Sequence, residues 1–199
     1  KSCGAEGLVT TRCAWVGDDP LYRHYHDYEW AVPVFDDSLL CEMLILEGAQ
    51  AGLSWITILR KQGSYREAYD HFDPEQIVHY DQARIEDLLT NPGIIRNRLK
   101  VNSIIKNARG FLELREQGVG FSEFLWSFVG GSPIQNRWNS IDQVPVNTPE
   151  SEAMSAALKS AGFTFVGPTI VYAFMQATGM VNDHLLCCPQ HEVCRSLGN

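Results

Sequence analysis

The chain has 199 residues, 45 % of them hydrophobic, and a formal charge of −8. That length supports one domain, or two small ones, around a real core, and the composition excludes a disordered chain. The longest apolar run, around Leu44, Ile45 and Leu46, is far too short to span a bilayer, and no signal-peptide pattern opens the chain, so a soluble, cytoplasmic protein without membrane partners is expected.

Helix signals dominate in chain order. Asp36-Asp37-Ser38 precedes Leu39, Leu40, Met43, Leu44 and Leu46 at helical spacing. Gly48 and Gly52 thin or break that region, and the apolar pattern resumes from Leu53 to Leu59. Ser64 to Phe72 predicts another helix, closed by Asp73-Pro74, with Pro74 opening the next through Ile77 and Val78. Ile85, Leu88 and Leu89 share one face of a short helix over 82–90. Asn91-Pro92-Gly93 is a tight turn, and a long helix follows from about residue 97, with Leu99, Ile104, Ile105, Ala108, Phe111 and Leu112 inward. Ser122 opens an aromatic helix carrying Phe124, Trp126 and Phe128, ended by Gly130-Gly131-Ser132-Pro133. The stretch 134–147 is the least regular and reads as loop. Thr148-Pro149-Glu150 combines a cap, a first-position proline and a first-turn acid, starting a helix that Gly162 ends. Ile170 to Ala177 reads as a buried helix. The expected fold class is all-α, with the helices at 82–90 and from about 97, and the turn over 91–95, forming a helix–hairpin–helix unit.

Charge is unevenly spread. Arg96, Arg98, Lys100, Lys106, Arg109 and Arg115 stand against one acid, Glu113, a local +5 that leaves −13 elsewhere. A basic stripe on an acidic protein is a usable phosphate footprint, although a solvated helix face has the same composition. The stripe follows Leu89-Thr90-Asn91-Pro92-Gly93-Ile94-Ile95, where hairpin N–H groups and the next helix N-terminus would hold a DNA phosphate. A plain αα-hairpin would use the same turn; its coincidence with the stripe favours DNA.

The six cysteines are Cys3, Cys13, Cys41, Cys187, Cys188 and Cys194. A chain this rich in core residues needs no disulfide framework, though the even count leaves disulfides open. His184 and Cys188 lie four apart, on one helical face, with Cys187 also in reach, which makes half of a tetrahedral zinc site. Cys13 and His26 are a plausible N-terminal half, with Cys194 and His191 as rivals for the last ligand. Such a closed site would be structural and would pin both chain ends. Core thiols and a hydrogen-bonded core histidine account for the same spacing.

Trp15, Tyr22, Tyr25, Tyr28, Trp30 and Trp55 supply large rings suited to stacking a flat ligand, and best a flat cation, or else to an ordinary aromatic core. Glu47 continues an apolar helix beside Gly48. A carboxylate buried there without a partner is costly and marks a site, unless the helix has ended and Glu47 is exposed.

Cys13-Ala14-Trp15-Val16, Asp19-Pro20-Leu21-Tyr22, and Tyr25-His26-Asp27-Tyr28-Glu29-Trp30 with Pro33 resemble the opening of the bacterial 3-methyladenine DNA glycosylase I family. Leu46-Glu47-Gly48-Ala49-Gln50-Ala51-Gly52-Leu53-Ser54-Trp55 is similar to the same family. So, in order, are Gly93-Ile94-Ile95-Arg96-Asn97, Trp126-Ser127-Phe128, Gly162-Phe163, Phe165-Val166-Gly167 and Asn182-Asp183-His184. The resemblance covers roughly 12–188 and implies one all-α domain there in two helical lobes, leaving 1–11 and 189–199 as tails expected to be disordered. It implies excision of N3-methyladenine from alkylated double-stranded DNA by base flipping and hydrolysis of the N-glycosidic bond. It implies a structural Zn2+ held by Cys13, His26, His184 and Cys188. Glu47 matches the catalytic pocket carboxylate, and Tyr25 and Trp55 the stacking rings, with Trp15 and Tyr22 close by. The hairpin, Gly93 and Ile95 with Arg96, Arg98 and Lys100, matches the phosphate-binding element. Nothing in the sequence suggests more than a monomer.

The chemistry fits. N3-methyladenine in DNA is cationic and already a good leaving group, so binding the flipped base and admitting water suffices. An aromatic box with one carboxylate favours that cation over neutral adenine. Three departures stand against the wider helix–hairpin–helix glycosylases. No aspartate occurs from Leu88 to Ile141, where many relatives carry a catalytic one after the hairpin. Either Glu47 acts electrostatically or no protein base is needed, and the second is favoured. No lysine is an evident Schiff-base nucleophile, so lyase activity is not expected. Ile95 stands where the stronger pattern has a second glycine. The rival reading is a non-catalytic helix–hairpin–helix DNA-binding module, against which the aromatic box and Glu47 argue, since phosphate binding needs neither. A zinc hydrolase would need an open metal position, which four protein ligands close.

Overall fold

The computed structural model describes residues 11–198. A 3-10 turn, Ala14–Val16, leads into α1 (Pro20–Tyr28), whose first N–H groups at Leu21 and Tyr22 donate to the Asp19 carboxylate. The chain continues through α2 (Asp37–Ala49), α3 (Trp55–Ala68), α4 (Pro74–Ile77), α5 (Gln82–Thr90), α6 (Arg98–Glu116) and α7 (Phe121–Trp126). It closes with α8 (Pro149–Ser160), α9 (Pro168–Ala177) and α10 (Pro189–Leu197). Among the described residues no helix is long and apolar enough to cross a membrane.

α2 is the centre of the molecule. Nine of its 13 residues are buried, and α3, α6, α7 and α9 all pack on it. A helix covered on every side has no amphipathic stripe. It runs through Gly48 and ends at Ala49, so that of the two readings open for Gly48 the helix is not broken there. That glycine lets a loop touch the helix, because a Cβ there would lie 3.2 Å from both the Cβ and the carbonyl oxygen of Phe165. The carboxylate of Glu47 is thereby carried into the interior on the last turn of α2.

Elsewhere the predicted helices form with several corrections. The segments expected at 53–59 and 64–72 are one helix, α3, which runs through Gly63 and stops at Ala68. Asp70, His71 and Phe72 then form a left-handed turn with φ of 50°, 55° and 58°. Leu99, expected inward, is 70 % exposed, because Lys100 takes the buried position beside it. The stretch 134–147 is mostly irregular, but β1 (Ile134–Gln135) pairs in parallel with β2 (Val181–Asn182). This short ladder sets the irregular stretch beside the 181–188 segment. The expected C-terminal tail is instead α10, which has proline at its first position and buries His191 and Cys194. Residues 1–10, with Cys3 and the tail expected there, lie outside the described residues.

Candidate active site and metal centre

Several short segments converge on one cavity of about 220 Å³. The 3-10 turn brings Trp15, α1 brings Tyr22 and Tyr25 three residues apart, and the residues after α1 bring Trp30. Trp55 enters as the first residue of α3, and Glu47 and Gln50 line the cavity from the end of α2. The rings touch in sequence: Trp15 lies 5.0 Å from both Tyr22 and Trp30, and Tyr25 5.7 Å from Trp55, centroid to centroid. Tyr28 is not part of this set; it is 69 % exposed and rests against His24.

Glu47 is 3 % exposed. Among the described residues no donor or cation engages its carboxylate, and burial alone pushes its pKa up to about 8. The Tyr25 and Tyr22 hydroxyls are pushed up as well, first by burial and then by the nearby Glu47 charge. Buried polar groups are nearly always satisfied, so an unpaired carboxylate lining a cavity suits a ligand better than a core. The carboxylate ringed by π faces favours a flat, positively charged one.

Behind the cavity, Cys13, His26, His184 and Cys188 converge, all buried, with their ligand atoms within 4.8 Å of one another. Cys13 Sγ and Cys188 Sγ each lie 3.7 Å from His184 Nδ1, and Cys188 Sγ lies 3.6 Å from His26 Nε2. Bonds of about 2.0–2.3 Å in a tetrahedral site imply edges of about 3.5 Å, so these spacings fit a four-coordinate ion. The outer contacts fit as well. His26 Nδ1 is 2.7 Å from Asp27 Oδ1, and His184 Nε2 is 3.2 Å from the Trp30 carbonyl. Each ring therefore donates outward and turns its lone pair inward, as metal-bound histidines do. The Cys188 thiol is pushed down by hydrogen bonding, first from Cys13 and then from His184 and His26. The cluster braces the cavity wall: Trp15 packs on His26 at 5.3 Å and Trp30 on His184 at 4.7 Å. The rival ligands point elsewhere, with His191 Nε2 on the Asn136 carbonyl and Cys194 Sγ toward the Trp30 carbonyl. Cys187 is half-buried and outside the four.

The family model described as methyladenine glycosylase matches residues 15–191. The chain belongs to that family. The DNA-3-methyladenine glycosylase of Haemophilus influenzae is 49 % identical over 181 residues, covering 91 % of this chain and 98 % of the relative. A crystal structure of 3-methyladenine DNA glycosylase I superposes with a TM-score of 0.89 at 51 % identity, over 90 % of this chain and 98 % of the other. A tyrosine-to-phenylalanine variant of such an enzyme, solved in complex with 3-methyladenine, superposes with a TM-score of 0.87 at 36 % identity, over 90 % and 97 % of the two chains.

In this methyladenine glycosylase the hairpin residues are less available than the sequence suggested. α5 and α6 pack together across the 91–97 turn. Gly93 sits where a Cβ would come within 2.8 Å of Ser64 Cβ, so the turn lies directly on α3. The Gly93 N–H donates to Asn91 Oδ1, the Ile94 N–H points to the Asn91 carbonyl, and the Ile95 N–H donates to the Tyr65 hydroxyl. Those three amides are already used. Arg98 pairs with Glu86 at 2.8 Å. Lys100, expected on a phosphate, is 8 % exposed and donates to the carbonyls of Ala49 and Ala51 at 2.8 and 2.7 Å. Arg96 is exposed and has no ion pair among the described residues. Gln50, Gln176 and Asp183, none of which stood out in the sequence as a site residue, also line the cavity. The only signal for Asp183 was its place beside His184 in the Asn182-Asp183-His184 motif.

Proposed function

We propose that this chain releases 3-methyladenine from alkylated DNA by hydrolysing the N-glycosidic bond, as a repair glycosylase. The observation that carries the reading is Glu47, a buried and unpartnered carboxylate in an aromatic cavity sized for a single base. The similar proteins named above support the substrate. A flipped, cationic base gains twice: its charge faces Glu47, and its flat ring lies among the indoles and phenols. Neutral adenine gains the stacking alone and pays the full cost of leaving its pair. The cation is already a good leaving group, so the cavity's task is to hold the base while water reaches the sugar, and no second carboxylate acting as base is invoked. Among the described residues no lysine lines the cavity, which supports a hydrolase without lyase activity.

The four-residue cluster suits structural zinc. Cys13, His26, His184 and Cys188 would all be ligands, so the ion would hold α1 against the 181–188 segment and take no part in bond cleavage. Residues 12–188 together with α10 are read as one domain acting as a monomer on double-stranded DNA. α5, the 91–97 turn and α6 are read as its helix–hairpin–helix, with phosphate contacts falling to Arg96 and the Arg98 and Leu99 amides that open α6, since the Lys100 N–H is taken by Asn97 Oδ1.

The deciding experiment is chromatography of bases released from methylated DNA, with Glu47→Gln beside the unaltered protein. Release of 3-methyladenine that slows sharply in the variant is expected. No release by a folded, metal-loaded sample would favour the non-catalytic DNA-binding module.

A further inference from the structure

We infer that Gln176 is a specificity-determining residue of this cavity, presenting its carbonyl Oε1 as an acceptor to the exocyclic amine of the bound base. Asp183 is the positioning residue that fixes this orientation. The inference rests on the glycosylase reading above and names how the same site tells one purine from another.

Gln176 lies on α9 and lines the cavity together with Glu47. Its Nε2 donates to Asp183 Oδ2 at 2.9 Å. Asp183 is 2 % exposed and takes three further donors. Asn136 Nδ2 and Trp138 Nε1 reach Oδ1 at 2.7 and 2.8 Å, and the Tyr172 hydroxyl reaches Oδ2 at 2.5 Å. Each carboxylate oxygen therefore has two donors, which fills its acceptor capacity. An indole N–H only donates, so Asp183 acts as an acceptor throughout this hub. Turning the Gln176 amide over would set its carbonyl against Oδ2 and leave that oxygen one donor short. The amide orientation is thus decided by chemistry rather than by shape.

One atom of the amide is left over. Gln176 Oε1 takes no hydrogen bond within the described residues, and it is the polar atom that Gln176 has to offer the cavity. An acceptor suits the N–H of a 6-amino purine. A 6-oxo purine would bring a carbonyl oxygen against it, leaving two acceptors facing each other. Sites that present a fixed hydrogen-bonding group reject analogues lacking the complement more strongly than apolar pockets reject an extra group. Glu47 supplies attraction for positive charge and an acceptor for the N–H edge of the base, and Gln176 adds a second acceptor whose orientation is fixed, a reading of the 6-position that charge alone does not give.

The test compares binding of two free bases, 3-methyladenine and 3-methylhypoxanthine, by quenching of tryptophan fluorescence. It uses the metal-loaded protein, Gln176→Met and Asp183→Asn, with metal content and melting temperature recorded for each. Gln176→Met should lower the preference for the 6-amino base roughly fivefold to tenfold, the worth of one hydrogen bond. Asp183→Asn should lower it at least as much although Gln176 is intact. An asparagine can turn its amide N–H toward Gln176, which then accepts with Oε1 and swings its own N–H₂ toward the ligand. A merely structural role for Asp183 would weaken both bases alike. A Gln176→Met protein with the original preference overturns the inference. If that variant does not fold, an unchanged preference in folded Asp183→Asn overturns it equally. Failure of the unaltered protein to release any base from methylated DNA would instead overturn the underlying function.

Discussion

Lys100 Nζ lies 2.8 Å from the carbonyl oxygen of Ala49. With its second bond, to Ala51, the side chain closes the C-terminal end of α2 immediately after Glu47. A cation at the carbonyl end of a helix satisfies groups the helix leaves open and opposes its dipole. Burial lowers the Lys100 pKa. Replacing it with methionine should destabilise the fold by about 1–3 kcal/mol, because two carbonyls lose their donor. Urea denaturation measures this. The salt dependence of DNA binding should stay unchanged in Lys100→Met, whereas Arg96→Ala should reduce the slope by about one unit. A reduced slope for Lys100→Met would restore that lysine to the DNA surface.

Glu47 makes stability depend on pH. Its carboxyl has an ordinary value of 4.5 and is raised to about 8 by burial in the folded chain. Below the ordinary value both states carry the proton and the group costs nothing. As pH rises from there to about 8 the unfolded chain loses the proton while the folded chain keeps it, so stability falls, and above about 8 the loss is complete. The size is on the order of 3–5 kcal/mol. Glu47→Gln should therefore match the unaltered protein near pH ~4 and exceed it in stability by that order near pH ~9. An equal gap at both pH values would mean that the carboxylate is partnered or solvated.

Catalysis should show the same group from the other side. A cationic base is attracted by the ionised carboxylate, so kcat/KM for base release should rise about tenfold per pH unit and level off above about 8. Glu47→Gln should be roughly 10²-fold slower on the plateau and lose that limb. Its stability would rise while its activity falls, as expected for a group kept at a cost because the ligand needs it.

The metal centre predicts an effect one residue away from its ligands. Asp27 accepts from His26 and is held in turn by Arg12. Asp27→Asn should weaken zinc affinity roughly 10–100-fold without removing a ligand, read by competition with a chromogenic chelator. Metal analysis of the purified protein should find one zinc per chain. Unchanged affinity in Asp27→Asn would mean that the contact does not orient the ring.

Much of this was legible from local chemistry. The helix starts at Asp36 and Thr148 each accept the expected N–H groups, whereas α1 and its cap at Asp19 were not read from the sequence. Cys13, His26, His184 and Cys188 meet as the resemblance implied. Trp15, Tyr22, Tyr25 and Trp55 share a cavity. What the sequence left open or misplaced turned on distant segments. α2 is buried around most of its circumference, so its pattern left the exposure of Glu47 open, and only the resemblance assigned that residue to a pocket. Lys100 looked like surface because its partners are carbonyls, which leave no mark in a sequence. The β1–β2 ladder is two residues long, too short for any period. α10 was missed although Pro189 is a good first helical residue, because the resemblance stopped just before it.

Cys13 and His184 stand 171 residues apart in the chain and 3.7 Å apart in space. An ion held between them would tie off a loop of that length, which in the entropic account of cross-links is worth about 5 kcal/mol. Connectivity, rather than the four ligands alone, would thus set how strongly the fold depends on an ion bound there. In a circularly permuted chain, with the present ends joined and new ones opened at the exposed turn around Gly118, the same ligands would bridge a far shorter loop. The site would be unchanged, but an ion there would then hold neighbours together instead of segments far apart in sequence.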